Sequence, residues 1–462
     1  MFRKTYGVVK EVLLSSTSHG IPNIIRSETL SLRLMWIIFT IISTGLCAFM
    51  IVESIMNYLS YETTSKIRVL SESTSPLPVI TVCNANYLTT EYASEFLKNI
   101  TFNSLSDILD YKFYNKAKST LLMNPDLRMN ISKFGDSYEK LILKCFLTFV
   151  NCKNENYWKY YYHPYFGNCY QFNSNLSNVL QVSGTGWDNG LNLILNLSLA
   201  DGIEEYYPSS GAIILVHNQT MSPLSVNGFT ISIGTETNLA LSRQFKSLQP
   251  KPYSNCDGNT SDPNAFDSKL FKFMHSNSLG YDQKLCFDMC FQELIIEKCK
   301  CYHYFYAYFG DDYTSPCSDE DKCFNDLLNE LVVNSKIINE ICVPKCPLEC
   351  QSMKFKKFNS FNSYLNDKLV ENINKKFNLT GINRRDLKKE LAALNVFYET
   401  LGYEEVTEKE SIDFVGLLSN IGGIAGLFLG ISVLSLVEII ELGFKILHVL
   451  IEIKIVEKTP TS

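Results

Sequence analysis

Two long runs without a charged residue constrain this 462-residue chain more than any other feature: Leu34 to Val52, 19 residues, and Phe414 to Val437, 24 residues. At about 1.5 Å per helical residue, either run crosses a hydrocarbon core of roughly 30 Å, the shorter one with snorkelling ends. The first run is longer than the roughly 7 to 15 apolar residues of a signal peptide. It also follows a polar-rich N-terminus and is closed by no clear small-x-small cleavage site, so it reads as a retained anchor. Two crossings place both termini on one side of a bilayer and the intervening chain on the other. The expected organisation is an N-terminal segment at 1–31, a first span at 32–56, a large domain at 57–410, a second span at 411–442 and a tail at 443–462.

Sidedness follows from what each segment carries. Fourteen of the 15 cysteines lie in the large domain, an even and clustered set that reads as disulfides in an oxidising space. The remaining one, Cys47, falls inside the first run and is expected to stay a thiol. Every glycosylation sequon also falls in the large domain, at Asn99, Asn130, Asn175, Asn196, Asn218, Asn259 and Asn378. Before the first run, Arg3, Lys4, Lys10, Arg26 and Arg33 outnumber Glu11 and Glu28, as the positive-inside rule requires of a cytoplasmic segment. The expectation is a multi-pass plasma-membrane protein with both termini cytoplasmic and the large domain extracellular. A net charge of -6 gives no basic excess for a nucleic-acid partner.

Within the large domain Leu191, Leu193, Leu195 and Leu197 alternate with polar or outward residues, which predicts a strand with one buried face. Helical stretches are expected around Asp288 to Glu297 and Asp386 to Leu394.

The second run is an unusual anchor. Gly416, Gly422, Gly423, Gly426 and Gly430 each cost about 1 kcal/mol relative to alanine in a helix interior. Ser419, Asn420, Ser432 and Ser435 add polar groups, and Glu438 and Glu441 follow. Small residues suit a helix-association face, and polar atoms at membrane depth suit a water-lined pathway; composition leaves both open. Just upstream, Glu399, Glu404, Glu405, Glu408, Glu410 and Asp413 are offset only by Lys409. Such a run is either a solvated stretch or, ringed around a pore mouth, a concentrator of cations.

The tract from Gly416 to Ser432 closely resembles the pore helix of the degenerin/epithelial sodium channel superfamily, which includes acid-sensing and peptide-gated channels. The resemblance covers nearly the whole chain. It takes in His19-Gly20, Pro78-Val79-Ile80-Thr81-Val82-Cys83-Asn84, Phe166-Gly167-Asn168-Cys169-Tyr170-Gln171-Phe172-Asn173 and Gly190-Leu191. It is strongest over Tyr281-x4-Cys286-x3-Cys290-x8-Cys299-x-Cys301 and Cys346-Pro347-x2-Cys350.

The resemblance implies an α+β membrane protein of the acid-sensing channel type: two transmembrane helices, a large disulfide-rich extracellular domain, and a homo- or heterotrimer with related subunits. It implies a selectivity filter at Gly430, Ile431 and Ser432, where a broken helix frees carbonyls for the ion. It also implies a gate at Ser419, Asn420, Ile421, Gly422 and Gly423, and a lower pore with His19, Gly20, Glu438 and Glu441. Tyr61 and Tyr253 resemble the family's aromatic contact at the wrist. By cysteine order it pairs Cys83 with Cys169, Cys145 with Cys152, Cys256 with Cys350, Cys286 with Cys346, Cys290 with Cys342, Cys299 with Cys323, and Cys301 with Cys317.

The resulting expectation is a sodium-preferring channel, blocked by amiloride and opened by an extracellular ligand. Glu62 and Thr63 stand where acid-sensing relatives carry histidines, and the likeness is closest to the peptide-gated branch, so the ligand expected is a short amidated neuropeptide. A proton-gated or constitutively open channel of the same family is the alternative. A two-span adhesion or receptor protein without a pore is the alternative from another class. No metal-binding, phosphate-loop or nucleophile motif argues for an enzyme. No cofactor or metal is expected, sodium being the permeant ion.

Overall fold

The computed structural model describes residues 10, 14, 16, 20–100, 112–276, 280–304, 306, 315–318, 321–333, 336, 338–376 and 386–458. The chain divides into two compact units, Met1–Thr64 with Glu408–Ser462, and Ser65–Thr407. The main helices are α1 (Gly20–Arg26), α2 (Leu30–Leu59), α3 (Gln283–Cys299), α4 (Phe414–Leu429) and α5 (Val433–Lys458). The main strands are β1 (Thr63–Ser71), β2 (Val79–Asn84), β3 (Ile142–Leu147), β4 (Trp158–His163), β5 (Gly167–Phe172) and β6 (Leu191–Asn196). They continue with β7 (Gly211–His217), β8 (Phe229–Ser232), β9 (Thr235–Ser247), β10 (Gln351–Ser363) and β11 (Leu391–Glu410).

In the first unit α2 is long and apolar enough to cross a membrane, and α4 and α5 pass the same test together as a bent pair. The apolar surface they present, including Phe39, Phe49, Val415 and Leu427, has no core of its own to enter and suits lipid or a neighbouring subunit. The tail expected at 443–462 is helical as far as Lys458, because α5 runs straight on past 442.

The second unit is built on two sheets. A seven-stranded sheet runs β10-β9-β11-β6-β3 and ends on Val150–Asn151, with β1 paired to β11. A five-stranded sheet, antiparallel throughout, runs β8-β7-β2-β5-β4. The largest core takes Ile80, Val82, Phe172 and Ile214 from the smaller sheet and Leu193, Leu195, Leu241 and Val396 from the larger. The expected strand at Leu191 forms as β6, with its leucines buried and its alternate residues half-buried.

The expected helix at Asp288 to Glu297 lies inside α3, whose N-cap is Asp282; its Oδ1 accepts the Leu285 amide at 2.9 Å. The helix expected over Asp386 to Leu394 does not form. Leu387–Lys389 makes one 3-10 turn and Leu391 opens β11. Here Ala392, Ala393, Leu394, Asn395 and Val396 are all buried, paired to β6 on one side and β9 on the other, and that pairing overrides their helical propensity.

Candidate functional site

The limits of α4 are set by its two end residues. Asp413 caps the N-terminus, its carboxylate accepting the Gly416 amide at 2.7 Å. Gly430 ends the helix in the left-handed region at φ 68°, where a side chain is unfavourable. Sixteen residues make about 24 Å of helix, short of a full crossing. The chain turns by 76° before α5 begins. Gly430, Ile431 and Ser432 occupy this break. The Gly430 amide donates to Gly426 O at 3.0 Å, the Ile431 amide to Ala425 O at 3.3 Å, and the Ser432 amide to Ser435 Oγ at 3.0 Å.

Ser419, Asn420, Gly422 and Gly423 are exposed on α4, with Ile421 half-buried. A Cβ built on Gly422 or Gly423 meets nothing within 4 Å among the described residues. Their smallness therefore serves no packing among the described residues. Ser419, Asn420 and Gly423 line a groove of about 450 Å³ whose other wall is Glu53, Ser54 and Asn57 of α2. Ser54 is buried, and its hydroxyl has no hydrogen-bond partner among the described residues. Sequence reading passed over these three α2 residues, although a polar group at the end of an otherwise apolar run was the signal available.

At the other end of the unit, α1 packs on α2. A Cβ on Gly20 would lie 2.7 Å from Thr40 Oγ1 and 2.9 Å from its Cγ2, so only glycine allows this approach. His19 lies outside the described residues. Glu438 is half-buried on α5, and Glu441 pairs with Lys445 at 2.8 Å one turn on. Tyr61 follows α2 in the left-handed region at φ 52°, and Tyr253 is half-buried in the second unit, its amide donating to Pro250 O at 3.1 Å.

The acidic run lies along β11 and the cap of α4 and is partly committed. Glu404 accepts hydrogen bonds from Lys356 and Gln244, and the lysine holds its carboxyl below the usual carboxylate range. Asp413 is the helix cap.

The structure bonds Cys83–Cys169, Cys145–Cys152, Cys256–Cys350, Cys286–Cys346, Cys290–Cys342, Cys299–Cys323 and Cys301–Cys317, the partners the resemblance implies. Cys47 is a buried thiol. Of the sequons, Asn99, Asn175 and Asn259 are exposed, Asn130, Asn196 and Asn218 half-buried, and Asn378 lies outside the described residues.

The chain matches the family model described as amiloride-sensitive sodium channel over residues 12–442. It is 31% identical over 319 residues to the epithelial sodium channel subunit alpha of Rattus norvegicus, covering 66% of this chain and 43% of that one. It is 29% identical over 331 residues to the subunit of that name from Xenopus laevis, covering 69% and 49%. The chain thus spans about half the length of these epithelial subunits. Against acid-sensing ion channel 1 of Gallus gallus it is 25% identical over 469 residues, covering 94% and 83%. The structure of a proton-activated chloride channel aligns with a TM-score of 0.36 at 7% identity, over 89% of this chain and 98% of that one, too loose a likeness to bear on the fold. Because the family match takes in α2, α4, the break after it, the first turns of α5 and everything between α2 and α4, the chain belongs to the amiloride-sensitive sodium channel family.

Proposed function

We propose that this chain is one subunit of a trimeric, sodium-preferring cation channel, a homo- or heterotrimer with related subunits, blocked by amiloride and opened by an extracellular ligand, a short amidated neuropeptide. Residues 32–56 and 411–442 are the two spans, residues 57–410 are extracellular and both termini are cytoplasmic. Gly430, Ile431 and Ser432 form the filter, Ser419 to Gly423 the gate, and His19, Gly20, Glu438 and Glu441 the lower pore. The observation that carries this reading is the pairing of a helix stopped at a left-handed glycine with small residues at 422 and 423 that no contact among the described residues demands. Small residues alone would also suit a helix-association face, and it is the break at Gly430, exposing backbone at membrane depth, that favours a water-lined path. The names of the relatives, sodium and acid-sensing channels, point the same way.

Replacing Ser419 with phenylalanine tests the gate. Expressed in a cell without such currents, Ser419→Phe is expected to produce a standing sodium conductance that amiloride reduces. Cysteines placed one at a time along 416–432 are expected to react with water-borne thiol reagents. If none did, and the membrane conductance of Ser419→Phe matched that of untransfected cells, the pore assignment would be lost. Currents evoked by acid alone, with no response to amidated peptides, would remove the peptide ligand and leave the channel.

A further inference from the structure

β1 begins four residues after α2 ends, and β11 ends four residues before α4 begins, so these two strands are the ectodomain's covalent routes to the two membrane-length helical segments. β1 has almost no hold of its own. None of its nine residues is buried, and Ile67 and Val69 are 65% and 75% exposed, so hydrophobic burial contributes little to keeping it on the sheet. What fixes it is its ladder to β11 and whatever anchors its far end.

That anchor is a single arginine on a third strand. Along β9 the inward positions are Thr237, Leu239, Leu241 and then Arg243, which is only 4% exposed. Its Nη2 donates to Glu72 Oε2, just past β1, and to Ser75 Oγ at 3.1 Å. Ser75 Oγ also donates to Glu72 Oε2 at 3.1 Å and accepts the Gly402 amide of β11 at 3.2 Å, which uses its one proton and both lone pairs. The guanidinium lies 5.8 Å from the Tyr398 ring and 5.6 Å from the Tyr403 ring, both on β11. Tyr398 OH in turn donates to Pro76 O at 2.7 Å.

The backbone is shaped around this point. The β9–β11 register jumps from Leu241↔Tyr398 to Arg243↔Tyr403, so β11 bulges opposite the arginine. Gly402 sits in the bulge at φ 125°, where a Cβ would lie 2.1 Å from Leu70 O of β1.

We propose that Arg243 is a positioning residue that makes β1 and β11 one moving part. Through Glu72 and Ser75 it holds the end of β1, through the two tyrosines and the Ser75–Gly402 bond it holds the bulge of β11, and both are tied to the same point of β9. A displacement arriving at either strand is carried to the other.

Hydrogen exchange on the full chain purified in detergent tests this without any current being recorded, so the result stands apart from the channel reading. In Arg243→Met, amides of residues 66–71 and 402–407 are expected to speed up together, by roughly tenfold or more, while the five-stranded sheet stays as protected as in the parent chain. Glu72→Gln, which keeps the side-chain shape and removes the charge, is expected to release the same two segments. It also serves if Arg243→Met loses protection everywhere through misfolding. The double variant is expected to match the single arginine variant, because both changes open one latch. Release of only one strand, no release in Glu72→Gln, or additive effects in the double variant would overturn the proposal.

Discussion

A methyl group at residue 20 has nowhere to go, since Thr40 Oγ1 and Cγ2 stand within 2.9 Å of where it would sit. Gly20→Ala is therefore expected to weaken the docking of α1 on α2 by about 1–3 kcal/mol, the usual range for overpacking. Loss of exchange protection over residues 20–26 would report it, and Thr40→Ala in the same chain should bring the protection back. Gly20 is legible in the sequence only through the His19-Gly20 resemblance. Its partner is not, because Thr40 sits in an apolar run where nothing marks it from the other small residues. Arg243 shows the opposite case: an arginine in the inward slot of an alternating strand is a visible irregularity, and reading β9 by its period would have found it.

At the scale of elements, the cysteine-rich helical part is a nested set in which Cys256–Cys350 encloses Cys286–Cys346, which encloses Cys290–Cys342. The outermost bond spans 94 residues of sequence. With the next bond closed, its effective loop shrinks to the stretches 256–286 and 346–350, roughly 34 residues, so it constrains the unfolded chain less. Removing Cys256–Cys350 alone is expected to cost about 0.6 kcal/mol less than removing it from a chain already lacking Cys286–Cys346 and Cys290–Cys342, where Cys299–Cys323 still shortens the loop to roughly 70 residues, as read from denaturant midpoints in a double-mutant comparison. An equal cost in both backgrounds would mean that native strain, not chain entropy, sets the contribution of these bonds. The alternation that gives β6 and the apolar run that gives α2 are local signals, and both are readable. The 386–394 stretch misleads because its strand character comes from β6 and β9, far away in sequence, while its local composition favours a helix. Disulfide partners are of the same kind: spacing cannot choose among them, and only the family resemblance supplied them.

For the whole molecule, acid is the condition that bears on the second unit most directly. His163, His217 and His303 are all buried, and burial above all pushes their pKa down from 6.5, to about 3 for His163 and about 4 for the other two, with the charge of Lys118 adding at His163 and His303. Above pH 6.5 none of them carries a cost. As pH falls from 6.5 toward 4, an unfolded chain takes up protons that the folded one refuses, so stability drains across that window and the loss is complete once the buried rings titrate as well. His217→Gln is expected to flatten the pH profile of the thermal midpoint over this range, and an unchanged slope would mean that other groups set it. Nothing in Val216-His217-Asn218 announces a buried ring, which is why this dependence is invisible until the sheet is assembled.

Every disulfide lies in the unit Ser65–Thr407, and the other unit holds only the thiol of Cys47. A reductant therefore alters the denatured reference of one body and leaves that of the other untouched. The free energy of unfolding of that disulfide-bonded unit becomes a quantity that the redox state of the surroundings can tune.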